Sequence, residues 1–383
     1  MLSRQIIRIS VVLAALMLAV PAAAEKEIDT SGLLRSGAFK DLDAHYSEVQ
    51  HQFEIGRISG DQLRDAFRGF YPTDEDLAVR YDAWVTAYPK SYVARLARGI
   101  YYKKVGLLAR GEKYISETSQ SQIDKMDDAM SMASRDLGAS VELNPKPFLS
   151  YLHTMDIGRQ YISNERLRKV FDRGAELDPN SLGLRVKFMA ALEPKWGGSI
   201  TAMRAFLEES KKTKLGKSAL EQLESMVYES EGLEYHGLGN LPSAEAAYRK
   251  AIGIGNTCLC VVNDLNKVLF ESNQYVAAIT LLDDYLQKNP GDLWALANRG
   301  SAKLFVGLPQ EAIKDWRYAA DAGDSYSQNR LGMLYFGGYM NVLRPDPVQS
   351  VFWLRKAAAQ GESEAQRALP IAEEMAANVR QAH

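Results

Sequence analysis

The chain has 383 residues, of which 46% are hydrophobic and 25% charged, with 28 Gly, 13 Pro and 2 Cys. These proportions are those of an ordinary globular protein, and they exclude a collagen-like fibre, a disulfide-stapled miniprotein and a wholly disordered chain. The formal net charge of −2 argues against a nucleic-acid-binding protein, because phosphate neutralisation needs a concentrated basic surface.

The first 24 residues have the pattern of a secretory signal peptide. Arg4 and Arg8 give a basic start, residues 11–20 are an unbroken apolar run, and small residues at 21–24 precede Glu25, which provides an Ala-x-Ala cleavage site. The apolar run is too short to cross a bilayer, which needs about 20 residues. We therefore expect cleavage after Ala24 and a periplasmic or secreted mature protein of a Gram-negative bacterium, without membrane insertion.

The N-terminal half has the pattern of amphipathic helices. Along its first helix, hydrophobic residues recur every three or four positions, as on one helix face: Phe39, Leu42, Tyr46, Val49 and Phe53. Pro145 and Pro179 lie 34 residues apart, and each would end a helix because the residue before proline avoids helical angles. Alternating strand patterns are nearly absent. An all-α fold is therefore predicted.

One short motif in this half stands out, the segment Pro-Lys-Trp-Gly-Gly-Ser at 194–199. The glycine pair allows close backbone approach, and Ser199 is placed to cap the following helix. Trp196 is interpreted as the anchor of a corner between repeats, with a ligand or phosphate loop as the alternative. With Met203 and Phe206 behind it, this region resembles a bacterial family of domains of unknown function (DUF4034) over residues 35–210, which implies no particular chemistry.

A 34-residue period begins at Ser225 and runs through three copies without insertion: 225–258, 259–292 and 293–326. Equivalent positions in the three copies hold similar residues. A small-residue position has Gly232, Asn266 and Gly300, and a turn position has Gly239, Asn273 and Gly307. An alanine position has Ala244, Ala278 and Ala312, and a bulky position has Tyr248, Leu282 and Trp316. A further position has Tyr235 and Leu269 but Lys303 in the third copy. Such a fixed phase indicates one repeated supersecondary unit.

The residue sizes and spacing at these positions are those expected of a helical hairpin. A small residue lets two helices approach, and the alanine and the bulky residue, four positions apart, lie on one buried face. Pro290 then ends the second helix. The pattern resembles the tetratricopeptide repeat, which implies a right-handed α-solenoid of stacked hairpins.

The C-terminal segment resembles a Sel1-like repeat, a related hairpin with a longer loop between its helices. The residues that carry the resemblance include Gly332, Tyr335 and Trp353. The predicted segments, in chain order, are a signal peptide at 1–24, N-terminal helices at 25–75, a divergent helical-repeat region at 76–220, three tetratricopeptide-like repeats at 221–324, a Sel1-like repeat at 325–361 and a C-terminal capping helix at 362–383.

The tetratricopeptide resemblance implies a peptide-binding groove on the first helix of each hairpin. The matching residues are Met226, Glu229, Leu233, Asn263, Lys267, Trp294, Asn298 and Ser301. Asparagine can hydrogen-bond an extended peptide and Trp294 can anchor it, with packing between repeats as the other interpretation of Trp294. A carboxylate clamp is not supported, because Glu229 and Leu233 occupy positions where it needs Lys and Asn.

The sequence has few signs of catalysis. It contains no His-Glu-x-x-His, Gly-x-Ser-x-Gly or phosphate-loop motif, so no catalytic residue, cofactor or metal ligand is assigned. Asp41, His45 and Glu48 share one helix face. They are interpreted either as possible metal ligands or as part of a solvated surface. Cys258 and Cys260 are interpreted as two small packing residues, with a redox or metal role as the alternative, since a bridge between them would distort a helix.

The predicted function is that of an exported helical-repeat scaffold that binds a protein or peptide in the bacterial cell envelope. The alternative is an envelope enzyme or cell-wall-binding protein with a site in the N-terminal half. The first follows from a fold-level resemblance, and fold alone does not fix function.

Overall fold

A computed structural model describes residues 28–111, 118–255, 258–339 and 343–381. Within these residues every regular element is a helix, apart from one isolated β-bridge between Tyr339 and Leu343. None of the described helices is both long and apolar enough to cross a membrane. The predicted signal peptide lies outside the described residues. The all-α prediction is confirmed.

The chain divides into two compact units. The first contains the described residues up to Ile58 together with Gln62–Pro145, and the second contains Ser59–Asp61 and the described residues from Lys146 onward. The N-terminal helices are α1 (Thr30–Ser36), α2 (Phe39–Glu54), α3 (Gly60–Ala66), α4 (Ala78–Ala87), α5 (Tyr92–Arg110) and α6 (Gln120–Val141). The later helices are α7 (Phe148–Tyr161), α8 (Asn164–Leu177), α9 (Leu182–Ala191), α10 (Ile200–Ser210), α11 (Lys217–Gly237), α12 (Leu241–Gly253), α13 (Leu259–Glu271), α14 (Tyr275–Lys288), α15 (Leu293–Phe305), α16 (Pro309–Asp321), α17 (Ser325–Gly337), α18 (Pro347–Ala359) and α19 (Ser363–Gln381).

The first unit has an aromatic core. Tyr46 of the predicted amphipathic helix is buried with its ring 4.3 Å from that of Phe70, and the rings of Phe70 and Trp84 lie 5.9 Å apart. The Tyr46 hydroxyl shares a 2.6 Å hydrogen bond with the hydroxyl of Thr30, which satisfies both buried groups. Aromatic packing therefore holds α2 and α4 around Phe70, and the hydroxyl hydrogen bond joins α1 to α2.

In the second unit each helix from α10 to α19 packs against the next one along the chain. The helix starts keep the predicted period, because α12, α14 and α16 begin at Leu241, Tyr275 and Pro309, and α13 and α15 begin at Leu259 and Leu293. Each hairpin therefore contacts its neighbours along a line, which is the arrangement of an α-solenoid of helical repeats.

The turn position of the three copies adopts the same unusual backbone conformation. Gly239, Asn273 and Gly307 have φ values of 72°, 57° and 82°. This left-handed region favours glycine, and asparagine tolerates it better than other residues. Asn273 is the one non-glycine residue with positive φ in the part of the chain that the structure describes. The sequence pattern therefore located each hairpin turn correctly.

The small and bulky positions also pack as predicted. A Cβ at Gly232 would lie 2.5 Å from the ring of Tyr248, and one at Gly300 would lie 2.7 Å from Trp316. The large partners are buried, as are the alanines Ala244, Ala278 and Ala312. Two positions are exposed instead: 38% of the surface of Tyr235 is accessible, and Pro290 lies on the surface after α14. Tyr235 therefore contributes little to the core, unlike its equivalent Leu269.

The C-terminal hairpin has the longer connection expected of a Sel1-like repeat. Tyr335 of α17 and Trp353 of α18 are buried in one cluster with Trp316, and a Cβ at Gly332 would lie 2.7 Å from Leu354. Asp346 caps α18 by accepting hydrogen bonds from two backbone N–H groups. The predicted final helix is α19, which follows α18 and packs on it.

Candidate binding face

The first helices of successive hairpins form a continuous row, α11, α13, α15 and α17. A side-chain hydrogen bond joins each neighbouring pair: His236 Nε2 with Glu271 Oε2 at 2.8 Å, Asn266 Nδ2 to Asn298 Oδ1 at 3.3 Å, and Ser301 Oγ with Tyr326 Oη at 3.1 Å. We call the accessible side of α11, α13 and α15 the first-helix face. The predicted groove residues all belong to these three helices.

The part of the first-helix face on α11 and α13 is open to solvent. Leu233 is 41% exposed, and Asn263 and Lys267 are also exposed. Met226 and Glu229 are half-buried beside them on α11. An apolar side chain, an amide and a cation are therefore available together, and this combination can contact both the side chains and the backbone of an extended peptide.

The predicted residues on α15 are used mainly inside the protein. Trp294 is half-buried and packs against the hydrophobic core of α12–α15. Asn298 donates from Nδ2 to the carbonyl of Trp294 at 2.8 Å, while its Oδ1 accepts from Asn266. Ser301 is only 8% exposed and donates to the carbonyl of Ala297 at 3.0 Å. These three side chains hold the face in place more than they offer contacts to a partner.

The Trp196 segment borders the same face. A cavity of about 240 Å³ separates the segment from α11 and is lined by Glu193, Pro194, Lys195, Ser230, Leu233 and Glu234. Leu233 and the segment that contains Pro194 and Lys195 stand out in the sequence, but Glu193, Ser230 and Glu234 do not, because no repeat column extends into the Gly-Gly segment. The first-helix face therefore extends from α11 onto the turn that precedes α10.

The glycine pair of this segment is required by its geometry. Gly197 has a φ of 81°, and a Cβ at Gly198 would lie 2.0 Å from the backbone carbonyl oxygen of Leu192. Ser199 accepts a hydrogen bond from the backbone of Ala202 at 3.1 Å, which confirms the predicted helix cap. The left-handed backbone conformation explains Gly197 and close backbone approach explains Gly198, in both cases without a ligand.

Charges of both signs meet at the junction of α11 and α13. Asp264 is half-buried, and its burial raises the pKa of its carboxyl group, while nearby His236, Lys267 and Lys195 act to lower it. Burial disfavours the charged form of a carboxylic acid. This part of the face therefore contains a carboxyl group that costs stability when it is ionised.

The two cysteines are joined by a disulfide bond, with their Cα atoms 5.4 Å apart. Both residues are exposed, so their interpretation as small packing residues is wrong. The predicted distortion of a helix does not occur, because Cys258 is the N-cap of α13 and has extended backbone angles of φ −66° and ψ 148°. The sequence did not show that the helix begins between the two cysteines.

The three candidate metal ligands of the N-terminal half, on α2, are not arranged around a common point. Asp41 and Glu48 are exposed on α2, and Glu48 accepts a hydrogen bond from Gln52. His45 is half-buried with its ring edge-on to that of Tyr46, 4.9 Å away. Among the described residues, no group of three or more His, Cys, Asp or Glu side chains is arranged to hold a metal ion.

Comparison with known proteins identifies the C-terminal repeat. The family model of the Sel1 repeat matches residues 325–362, which span α17 and α18. No curated protein is similar enough in sequence to count as a relative. The resemblance of residues 35–210 to DUF4034 is not matched by a family model.

Solved structures of helical-repeat proteins are similar to the chain at low sequence identity. A protective antigen of uropathogenic Escherichia coli with an SLR fold has 15% identity and a TM-score of 0.38, over 91% of each chain. A tetratricopeptide repeat protein from Parabacteroides merdae has 12% identity and a TM-score of 0.35, over 65% of this chain and 95% of its own. The tetratricopeptide protein YrrB, described as having an unusual peptide-binding site, has 14% identity and a TM-score of 0.31, over 51% of this chain and 96% of its own. The family-model match identifies a Sel1 repeat at residues 325–362, and the other helical repeats are seen in the helices of this chain itself.

Proposed function

We propose that this protein is a scaffold that binds a segment of a protein or peptide on its first-helix face. The observation that carries the proposal is the combination of exposed Leu233, Asn263 and Lys267 on adjacent helices that a hydrogen bond holds together. Leu233 offers apolar area, while Asn263 can donate to and accept from a peptide backbone. Lys267 favours a partner with an acidic side chain nearby.

The face is formed before the partner arrives. Asn298 and Ser301 make hydrogen bonds within the protein, and Trp294 packs on the core, so these groups need no rearrangement on binding. A partner would then lose mainly its own conformational freedom, because the protein side is already ordered. Residues on α15 thus support the contact residues of α11 and α13.

Peptides selected from a random display library against the wild-type protein provide the first test. Their affinity would then be measured by fluorescence anisotropy for Leu233→Ala and Lys267→Glu. We expect each variant to weaken binding at least about tenfold, equivalent to about 1.4 kcal/mol. Lys288→Glu is the matched control, because it makes the same charge change at an exposed position of α14, the second helix of the same hairpin.

The selected peptides should bind Lys288→Glu with the wild-type affinity. Equal affinity for wild type, Leu233→Ala and Lys267→Glu would show that the first-helix face is not the binding surface. Circular dichroism of each variant confirms that helicity is retained, since all three side chains are exposed.

We further propose that the scaffold acts in the bacterial cell envelope after export. The support is the basic, apolar and small-residue pattern of residues 1–24. Expression in a Gram-negative host, osmotic-shock fractionation and mass spectrometry of the purified chain test this proposal. The expected product begins at Glu25 and is found in the periplasmic fraction, and an uncleaved chain that stays in the cytoplasm would refute it. The DUF4034 resemblance of residues 35–210 stays a prediction.

A further inference from the structure

The disulfide between Cys258 and Cys260 contributes little to holding the fold together. It encloses only three residues, and the entropic stabilisation that a disulfide provides grows with the length of the loop it closes. Both cysteines are exposed, so the bond also buries little apolar surface. An accessible disulfide with little structural effect is suited to chemical exchange.

The position of Cys258 favours its reduced form. It is the N-cap of α13, a helix of 13 residues. A thiolate released at this position would lie beside the free N–H groups and the positive end of the helix dipole, which lower the pKa of cysteine thiols. Because a stabilised thiolate is a better leaving group, the disulfide becomes a stronger oxidant.

The disulfide also adjoins a cavity on the protein surface. Cys258 lines an open cleft of about 660 Å³ together with Glu221, Gln222, Met226 and Ile254. Met226 and Ile254 provide apolar surface, while the polar side chains of α11 provide hydrogen-bonding groups. A thiol-bearing segment in this cleft would therefore lie beside Cys258, while Cys260 is exposed on the first turn of α13 and open to attack from solvent. Met226 connects this cleft with the first-helix face.

We propose that Cys258 and Cys260 form a thiol–disulfide exchange site that oxidises a pair of thiols on a protein or peptide. The inference does not require the first-helix face to bind a partner, because a small dithiol can reach an exposed disulfide unaided. The substrate class is a dithiol, and the product is its disulfide.

The exchange proceeds in two balanced steps. A substrate thiolate attacks Sγ of Cys260, a substrate–Cys260 disulfide forms, the Cys258–Cys260 bond breaks and the electron pair leaves on Sγ of Cys258. The second substrate thiolate then attacks the substrate sulfur of the mixed disulfide and expels the Cys260 thiolate. The substrate loses two electrons, and its two protons end on the protein thiols. One substrate disulfide is formed for each protein disulfide reduced.

Equilibration with mixtures of reduced and oxidised dithiothreitol tests the oxidising character. The reference is an oxidised, end-blocked synthetic peptide of residues 257–262, which contains the same ring without the helix or the cleft. We expect the equilibrium constant for reduction to be at least tenfold larger in the protein, equivalent to about 30 mV for this two-electron couple. A protein disulfide no easier to reduce than that of the peptide would overturn the proposal.

Single-cysteine variants test which sulfur leaves. In Cys260→Ser, the rate at which iodoacetamide alkylates Cys258 is measured against pH. This pH profile should give a thiol pKa below the usual value of about 8.5. The matched variant Cys258→Ser reports Cys260, whose alkylation should require a higher pH. The reverse order, or two ordinary thiols, would contradict the mechanism.

The double variant Cys258→Ser with Cys260→Ser separates exchange from stability. It should retain the wild-type melting midpoint and should not oxidise dithiothreitol. A large fall in the midpoint would assign the disulfide to stability and overturn the proposal. The variants Leu233→Ala and Lys267→Glu should keep wild-type exchange with dithiothreitol, so failure of peptide binding and failure of exchange are distinguishable.

Discussion

Substitution of Gly300 by alanine provides a direct test of the packing between α15 and α16. A Cβ at this position would lie 2.7 Å from Nε1 and 2.9 Å from Cδ1 of Trp316, where ordinary van der Waals contact needs about 3.5–4 Å. Trp316 is buried, and its indole N–H donates to the carbonyl of Ala297 at 2.9 Å. The indole cannot move away without weakening that hydrogen bond and disturbing its neighbours.

The expected loss of stability combines three terms. Overpacking a well-filled site costs about 1–3 kcal/mol, and weakening a buried hydrogen bond costs about 1 kcal/mol. Alanine is a better helix former than glycine by about 0.5–1 kcal/mol, which offsets part of the loss. Gly300→Ala should therefore lower the free energy of unfolding by about 2 kcal/mol, although glycine-to-alanine changes within helices ordinarily stabilise a protein.

Urea unfolding followed by circular dichroism measures this change. Gly253→Ala is the control, because Gly253 lies in α12 with no atom within 4 Å of the new Cβ, and its midpoint should equal or exceed that of wild type. In a Trp316→Phe background the cost of Gly300→Ala should fall to about half, since the indole nitrogen is absent. An unchanged midpoint for Gly300→Ala, or equal costs in both backgrounds, would refute the reasoning.

Three further predictions concern the turns, the buried charge and a helix cap. Asn273→Ala should cost about 1–2 kcal/mol in urea unfolding, because alanine is disfavoured at a φ of 57°, whereas Asn273→Gly should not. The raised pKa of Asp264 means that its ionisation destabilises the fold as pH rises through and above the unfolded-state pKa. Asp264→Asn should therefore raise the urea midpoint at pH 7 but not at pH 3. Asp346→Ala should lower the thermal midpoint by removing about 1 kcal/mol of capping of α18.

The sequence predicted the repeat architecture well because each repeat position has a local cause. Gly239 and Asn273 are required by left-handed turn angles, and Gly300 is required by the indole beside it. Such constraints act within one hairpin, so they recur with the period and are visible in a single sequence.

The binding face was harder to predict because exposure depends on neighbouring helices. Tyr235 shares a repeat column with buried Leu269 but is exposed. Asn298 is of a residue type that often contacts peptides. Its side-chain Nδ2 and Oδ1 both form hydrogen bonds within the protein instead. The disulfide escaped prediction since it depends on α13 beginning one residue after Cys258. These features depend on contacts or on a boundary that the period does not specify.

The hydrogen bonds between first helices depend on the order of the repeats along the chain. The hairpins share one period, so excision of residues 259–292 would leave helices of matching length and phase. The polar pairing would not survive, because Asn298 would then face Gly232 in place of Asn266, and His236 would face Phe305 in place of Glu271. These side chains of each repeat therefore form hydrogen bonds across first helices only with those of its natural neighbour. The repeats have similar backbones, but their order cannot be changed without losing these hydrogen bonds.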